Sequence, residues 1–339
     1  MYTREPLISI LIPAFNAERW IAETIRSALA QTWERKEVIV VDDGSTDATA
    51  AVAERFAPAR VTVVRKRNEG AAVTRNKAYS LSRGKYIQWL DADDLLAPDK
   101  IARQLYAVRP QDRRVLLSSA WGTLAYTPKR AKVATIELWR DQSPSEWLIA
   151  KLAGNCYMQT AAWLTYRALA DDAGSWDTRL LGDDHGEYFC RVLLASEGVR
   201  FVRDSRVFCR NIPTTELSYI GSSDKKMDAV LLSMKLLIKY LRSLDDSERA
   251  HSACLTYLSN WAKAFYPYRP DIIRELGRIA HELRGVLTIS PAGWKYGWLY
   301  SLAGPRTARR TQLGILQTKA RRICGFDKAL SFLVGKGIA

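Results

Sequence analysis

Residues 37–47 read EVIVVDDGSTD, an apolar run that ends in two carboxylates and a turn. The run from Glu37 to Val41 is short, apolar and β-branched, which is typical of a buried strand. Asp42 and Asp43 end this strand, and Asp47 is suited to cap the helix after the Gly-Ser-Thr turn. Carboxylates in this place can accept hydrogen bonds from a base or a ribose, or they can simply finish a turn.

Similar apolar runs recur on both sides of this stretch and alternate with helical patterns. The strand-like runs are Leu7 to Phe15, Glu37 to Val41, Val61 to Val64 and Tyr86 to Leu90, and the helical patterns are Arg19 to Ala30, Asp47 to Phe56 and Ala71 to Ser82. Such alternation predicts an α/β fold with a mostly parallel, Rossmann-like sheet flanked by helices. Ligands bind beyond the carboxyl ends of the strands in such sheets.

The pattern is looser further along the chain. It predicts a strand at Leu116 to Leu124, a helix at Ser145 to Leu152 capped by Ser143 or Ser145, and a helix at Glu187 to Glu197. From Met227 onward the chain reads as helical, and Val230 to Leu241 is apolar on most of its circumference. We expect that helix to pack between neighbours.

A second acidic cluster follows the strand-like run that ends at Leu90. Asp91, Asp93 and Asp94 repel one another unless a cation lies among them. Hard oxygen ligands select Mg²⁺ or Mn²⁺, and such an ion would bridge two phosphate groups and neutralise charge on a departing diphosphate. The alternative is a solvated acidic loop.

Between the two acidic strand ends, Gly70 begins a helical pattern that carries Arg75 and Asn76. Gly70 frees the backbone at a helix start, where exposed N–H groups favour an anion. An Arg-Asn pair on a helix is often only a solvated face. The position of this pair between two acidic strand ends favours a binding role.

Four motifs in this order resemble those of the family 2 glycosyltransferases, which are inverting enzymes of the GT-A fold. The motifs are Pro13-Ala14-Phe15-Asn16, Val41 to Asp47, Arg75-Asn76 and Asp91-Ala92-Asp93-Asp94, and the resemblance spans roughly residues 6–215. It implies a metal-dependent enzyme that transfers a sugar from a nucleotide-diphosphate sugar, with a UDP-sugar favoured, to a hydroxyl acceptor.

The resemblance also implies which residues bind the donor and the metal. The implied nucleotide-sugar contacts are Pro13, Phe15, Asn16, Asp42, Asp43, Arg75, Asn76, Asp91, Asp93 and Arg210, and the implied contacts of Mg²⁺ or Mn²⁺ are Asp93 and Asp94. Pro13 and Asp42 are expected near the base and ribose. Arg210 and Ser218 lie in a segment that looks like the one after the family's last core strand, within reach of the diphosphate.

An inverting transfer needs a general base, which the family carries in an acidic loop before a helix. Here that loop, Trp176 to Arg191, contains Asp183, Asp184 and His185, with Glu187 also within reach. Counting back from Arg191, the place of the family's basic aspartate holds His185. Either Asp184 serves after a small register shift, or His185 is the base and Asp184 or Asp183 orients its ring, since neutral imidazole is competent near neutral pH. In a third interpretation the loop is degenerate and the chain is a non-catalytic nucleotide-sugar or glycan-binding protein.

Charge is divided unevenly along the 339 residues, whose net charge is +15. Residues 1–199 carry 27 Lys and Arg against 25 Asp and Glu, whereas residues 200–339 carry 24 against 11. We expect the basic part to meet an anionic ligand or surface. The predicted domains are a GT-A-like nucleotide-sugar-binding catalytic domain at 1–220 and a helical, basic C-terminal region at 221–339 for acceptor or membrane-surface contacts.

Aromatic and basic residues are concentrated near the end of the chain. Four aromatics fall within Trp294 to Tyr300, and Arg306, Arg309, Arg310, Lys319, Arg321 and Arg322 follow. This combination suits a helix in an anionic membrane interface, but it equally suits a helical bundle with a solvated basic face. No nucleic-acid-binding motif accompanies the charge, so we do not expect a nucleic acid partner.

Five scattered cysteines without a C-x-x-C pair argue against a structural zinc site or a disulfide framework. The sequence contains no recognisable secretory signal and no membrane-spanning run of about 20 apolar residues. A cytoplasmic protein is therefore expected, either free or peripheral on the inner face of the cell membrane. A membrane seat would suit a cell-envelope glycan or a lipid-linked saccharide as acceptor.

Overall fold

The computed structural model describes residues 5–109, 112, 114–124, 126, 131–133, 135–181, 184–210, 223–289, 304, 307 and 311. Its strands are β1 (Ile8–Ala14), β2 (Lys36–Asp42), β3 (Val61–Arg65), β4 (Tyr86–Trp89), β5 (Leu95–Leu96), β6 (Val115–Leu124), β7 (Lys132–Val133), β8 (Thr165–Tyr166) and β9 (Gly198–Arg210). Its α-helices are α1 (Ile21–Leu29), α2 (Thr49–Glu54), α3 (Ala71–Leu81), α4 (Lys100–Tyr106), α5 (Pro144–Ala153), α6 (Arg167–Ala173), α7 (Asp184–Ala195), α8 (Asp224–Leu244), α9 (Glu248–Phe265) and α10 (Pro270–Glu282).

The first sheet brings the two acidic strand ends to one edge. Its strand order is β3-β2-β1-β4-β8, with β1 to β4 parallel and β8 antiparallel. Every residue of β1 except Pro13 is buried, as expected for an inner strand covered on both faces. Since β1 separates β2 from β4, their acidic ends flank the end of β1. The prediction of a parallel-rich sheet flanked by helices is confirmed.

A second, mixed sheet supports the acidic loop that follows β4. Its order is β5-β9-β6-β7, with β9 parallel to β6 and the two outer strands antiparallel to their neighbours. Leu95 pairs with Phe208, so the chain leaves the acidic loop directly into contact with the end of β9. The sequence analysis did not predict β5, β7, β8 or β9.

The C-terminal helices share a hydrophobic core with the first part of the chain. Buried residues of α8, α9 and α10 belong to one cluster with buried residues of α5 and α7. Within Val230 to Leu241 only Lys239 is exposed, which confirms that this helix packs between neighbours. Ser143 caps α5, because its hydroxyl accepts a hydrogen bond from the Glu146 N–H at 3.3 Å. The division into 1–220 and 221–339 stays a prediction.

Membrane contact was predicted from the segment 290–339, which lies outside the described residues except at positions 304, 307 and 311. None of the helices in the described ranges combines the length and the apolar character needed to span a bilayer.

Candidate active site

Asp42, at the carboxyl end of β2, is fully buried, with an exposed fraction of 0%. Its Oδ2 accepts a hydrogen bond from the Ser45 N–H at 3.2 Å, while its Oδ1 meets no donor in the described part of the chain. A buried carboxylate oxygen without a donor is costly, so it marks a place where a ligand N–H or O–H would bind favourably. This matches the predicted nucleoside contact.

Asp43 accepts hydrogen bonds from the segment that leads into α3. Its Oδ1 accepts hydrogen bonds from Lys66 Nζ at 2.5 Å and from the Glu69 N–H at 3.0 Å, and its Oδ2 accepts one from the Gly70 N–H at 2.9 Å. These bonds hold the entry to α3, where Gly70 has a φ of +93° that suits glycine. Contact of Asp43 with the donor stays a prediction.

Asn16 fastens the end of β1 to the turn after β2. Its Oδ1 accepts hydrogen bonds from the Thr46 N–H at 2.9 Å and the Thr46 hydroxyl at 3.3 Å, and its own N–H donates to Ser45 Oγ at 2.9 Å. Pro13 and Phe15 lie beside this turn and are half-buried. They remain predicted donor contacts at this edge, with Asn16 shaping the turn.

Arg75 joins the acidic loop to the predicted base loop. Its Nη2 lies 3.1 Å from Asp91 Oδ1, and its Nη1 lies 2.5 Å from Asp184 Oδ2. The guanidinium also lies 4.4 Å from the ring centroid of Trp176. Residues far apart in sequence thus meet at one buried, planar cation, the geometry for which arginine is suited.

Asn76 clamps the base loop to α3. Its Nδ2 donates to the Trp176 carbonyl at 3.0 Å, and its Oδ1 accepts from the Trp176 N–H at 2.8 Å. Because both ends of the amide are engaged with one peptide unit, the structure gives Asn76 a positioning role in place of the predicted donor contact.

The Asp94 side chain points toward the protein interior, and its exposed fraction is 2%. Its Oδ1 accepts from the Arg210 N–H at 2.8 Å, and its Oδ2 accepts from Gln159 Nε2. Burial, and next the charge of Asp93, raise the pKa of Asp94 well above its usual range. Each oxygen thus already accepts a hydrogen bond from the protein, and Asp94 as a metal ligand stays a prediction.

Asp93 is the better metal ligand of the two. Among the described residues its carboxylate bonds only its own backbone, and burial followed by the charge of Asp91 raises its pKa to about 6. A crowded carboxylate with few partners is the kind of oxygen donor that Mg²⁺ or Mn²⁺ stabilises. No group of three or more His, Cys, Asp or Glu side chains converges within the described residues. An ion held by Asp93 would have to take its remaining ligands from diphosphate and water.

Arg210, at the end of β9, holds the backbone of the acidic loop. Its Nε donates to the Asp93 carbonyl at 2.9 Å, and its Nη2 lies 2.8 Å from Glu23. The guanidinium stacks on Trp20 at 4.0 Å from the ring centroid, and the side chain is only 1% exposed. Direct contact with a diphosphate is not supported for Arg210, and Ser218 lies outside the described residues.

The base loop leads into α7, and Asp184 is the first residue of that helix. Although burial opposes the shift, the Arg75 charge and hydrogen bonds from His185 hold the pKa of Asp184 well below its usual range. Such a carboxylate is a weak proton acceptor. His185 Nδ1 lies 3.7 Å from Asp184 Oδ1. Asp183 lies outside the described residues.

Glu187 is a poor candidate for the general base because it is buried and already paired. It is buried, forms an ion pair with Arg191 at 2.7 Å and accepts a hydrogen bond from the Tyr240 hydroxyl at 2.7 Å. It therefore ties α7 to α8.

Sequence reasoning missed several aromatic residues at this site. Trp176 stacks on Tyr188 with ring centroids 4.0 Å apart and planes 6° apart, and Tyr157 meets His185 edge-on at 5.2 Å. Trp176 stands near the start of the quoted base loop, but its role depends on Arg75, which is distant in sequence. No local pattern marks Tyr157.

Comparisons with known proteins bear on the family and the fold. Residues 9–167 match the model of the family described as Glycosyl transferase family 2. The chain is 40% identical over 104 residues to TuaG of Bacillus subtilis, named for teichuronic acid biosynthesis, and 44% identical over 100 residues to chondroitin synthase of Escherichia coli. These matches cover 30% and 29% of this chain, and 41% and 15% of those proteins.

Two solved structures are similar in fold. TarS of S. aureus, in complex with UDP-GlcNAc, has a TM-score of 0.63 and 16% identity, covering 90% of this chain and 89% of that one. Mannosyltransferase PcManGT of Pyrobaculum calidifontis, in complex with GDP-Man and Mn²⁺, has a TM-score of 0.55 and 16% identity, covering 95% of this chain and 87% of that one.

Proposed function

We propose, from the match of residues 9–167 to the model of glycosyl transferase family 2, that the chain transfers a sugar from a nucleotide-diphosphate sugar to a hydroxyl acceptor. The observation that carries this proposal is Arg75, which contacts Asp91 of the acidic loop and Asp184 of the base loop together. A donor held at the acidic loop would thus lie next to the residues that activate the acceptor. Proximity of this kind accounts for a large part of enzymatic rate enhancement.

The donor is held at the ends of β1, β2 and β4 in this proposal. The Oδ1 of Asp42, which meets no donor among the described residues, accepts a hydrogen bond from the nucleoside, and Pro13 and Phe15 contact the donor at the same edge. Complexes of similar folds with UDP-GlcNAc and GDP-Man support a nucleotide sugar as the ligand, and TarS, with the higher TM-score of the two, favours UDP.

Asp93, with Asp91 in the same loop, would hold Mg²⁺ or Mn²⁺ against the diphosphate. A divalent ion there supplies Lewis-acid stabilisation of the charge that builds on the leaving diphosphate. The Mn²⁺ complex of PcManGT supports the choice of metal. Asp94 and Arg210 keep the loop in shape from the protein side.

His185 is the general base in this proposal, and Asp184 holds Arg75. The pKa of Asp184 is depressed by its ion pair, so the neighbouring imidazole is the better proton acceptor. The acceptor oxygen gives its proton to an imidazole nitrogen and forms a bond to the anomeric carbon. The bond from that carbon to the diphosphate oxygen breaks, its electron pair leaves with the nucleoside diphosphate, and the anomeric configuration is inverted.

A cell-envelope glycan or a lipid-linked saccharide is the proposed acceptor class. The relation to TuaG, named for teichuronic acid biosynthesis, supports it. An enzyme at the inner face of the cell membrane would fit such an acceptor.

The second candidate function is non-catalytic binding of a nucleotide sugar or glycan, which the unusual Asp184-His185 pair in the base position favours. Release of UDP or GDP from a panel of nucleotide sugars, with Mn²⁺ and with EDTA, separates the two. We expect metal-dependent release by hydrolysis or transfer. A chain that binds a nucleotide sugar but releases no nucleotide under any condition would be a binding protein.

A further inference from the structure

Tyr157 is an exposed aromatic residue directly beside the proposed base. Its exposed fraction is 43%, and its ring lies 5.2 Å from the His185 ring at an interplanar angle of 73°. We propose that Tyr157 is the stacking platform of an acceptor subsite that receives a pyranose ring. This inference rests on the proposed glycosyl transfer and names the class of acceptor.

The Tyr157 ring has two aromatic neighbours. Trp121 of β6 meets it edge-on with ring centroids 5.5 Å apart, the same kind of contact as the one with His185. The backbone is also fixed, because the Cys156 N–H donates to the Lys151 carbonyl at 2.9 Å and so closes the end of α5. A surface aromatic with two ring neighbours and an anchored backbone loses little entropy when a ligand covers it.

The loop that carries Tyr157 is also connected to the donor side. Two residues further on, Gln159 is fully buried and its Nε2 donates to Asp94 in the acidic loop. Its Oε1 accepts hydrogen bonds from the N–H groups of Ala161 and Ala162. The segment from Tyr157 to Gln159 thus spans from the base to the acidic loop, where donor and acceptor must meet.

The chemistry of the exposed ring selects a sugar over an open-chain hydroxyl compound. A pyranose presents one face of C–H groups, which packs on an aromatic face while its hydroxyl groups remain hydrogen-bonded at the edge. Among the described large apolar side chains that are exposed, Tyr157 is the one in ring contact with His185. A ring stacked there would present an edge hydroxyl toward the imidazole.

The test measures nucleotide release by the full chain with UDP-GlcNAc and Mn²⁺ against added methyl pyranosides and sn-glycerol 3-phosphate, which has no ring. We expect at least one pyranoside to accelerate release. Tyr157→Ala should raise the KM for that pyranoside about tenfold, as expected for loss of an aromatic stacking partner. Tyr157→Phe, which keeps the ring, should stay within about twofold of the unchanged chain.

The matched control is Tyr106→Ala, because Tyr106 is 78% exposed and its ring contacts Trp33, away from the base. A UDP-induced thermal shift confirms that each variant is folded. Three results would overturn the subsite: an unchanged KM in Tyr157→Ala, equal losses in Tyr157→Ala and Tyr157→Phe, or acceleration by glycerol phosphate alone. Failure of the proposed function looks different, because the unchanged chain would then release no nucleotide from any donor, with or without a pyranoside.

Discussion

Arg75 bridges two carboxylates, and few other side chains could replace it in this position. Its side chain is 9% exposed, and Asp184 and Asp91 would face each other without a cation in its absence. Arg75→Lys keeps the charge but loses the planar fork that reaches both partners. We expect Arg75→Gln to lower the free energy of unfolding by about 3 kcal/mol and to reduce transfer at least about 100-fold.

Denaturant unfolding and nucleotide release measure the two effects of Arg75→Gln. The control is Arg83→Gln, because Arg83 is 81% exposed in its ion pair with Glu37 and should change stability by less than about 0.5 kcal/mol. Equal behaviour of the two variants would mean that the Arg75 bridge has no structural or functional weight.

His185 and Asp184 are adjacent but should respond differently to substitution. His185→Ala removes the proton acceptor, so transfer should fall at least about 100-fold while UDP affinity is retained. His185→Asp restores a carboxylate acceptor and should recover part of the activity. Asp184→Asn removes a partner of Arg75, so it should lower stability by about 2 kcal/mol, an effect absent in His185→Ala. Equal residual turnover in His185→Ala and Asp184→Asn would remove this loop from the chemistry.

The sequence predicted where the site residues lie better than what each one contacts. Asp42 and Arg75 follow from strand ends and a helix start, which fix their place in a parallel sheet. Asp43, Asn76 and Asp94 occupy the expected edge too, but their oxygens are bonded to Gly70, Trp176 and Arg210. Side-chain direction depends on partners distant in sequence, which a single sequence does not show.

At the level of elements, the entry to α3 depends on the positive φ of Gly70. A Cβ at Gly70 would meet no atom within 4 Å, so Gly70→Ala tests the backbone conformation without a steric clash. We expect it to cost about 1 kcal/mol of stability and to weaken UDP binding, since Asp43 accepts from the Gly70 N–H.

Gly277→Ala is the matched control, and its expected effect on stability is opposite to that of Gly70→Ala. Gly277 lies inside α10, and a Cβ there also meets nothing within 4 Å. Gly277→Ala should stabilise the chain by up to about 1 kcal/mol without changing UDP affinity. Thermal unfolding of both variants gives the comparison, and destabilisation by both would show that the available space, and not the backbone angle, decides the outcome.

The elements that were predicted are those with strong local periodicity. The four parallel strands and α1 to α3 repeat apolar residues at the spacing of their secondary structure, so the sequence shows them directly. The short strands β5, β7 and β8 have two residues each, and their existence depends on pairing partners. In the second sheet β6 was predicted, β5 and β7 could not be for that reason, and the long strand β9 was missed.

At the scale of the whole molecule, the described fold does not account for the excess of basic residues in the second part of the sequence. Residues 290–339 carry the aromatic and basic cluster, which suits either anionic lipid or packing in a helical bundle, and the lipid interpretation makes the prediction that follows. The full chain should sediment with vesicles that contain anionic lipid at low salt, and a variant without residues 290–339 should not. Sedimentation that is equal for both would assign the cluster to packing instead.

The account as a whole depends on a divalent cation and a nucleotide meeting at the acidic edge of the first sheet. Calorimetric titration of UDP into the full chain, with Mn²⁺ and with EDTA, tests this most directly. We predict binding with Mn²⁺ that weakens at least about tenfold in EDTA, and equally in Asp93→Asn, because the ion links that carboxylate to the diphosphate. Equal affinity in both conditions, or no uptake of UDP with Mn²⁺ present, would contradict it.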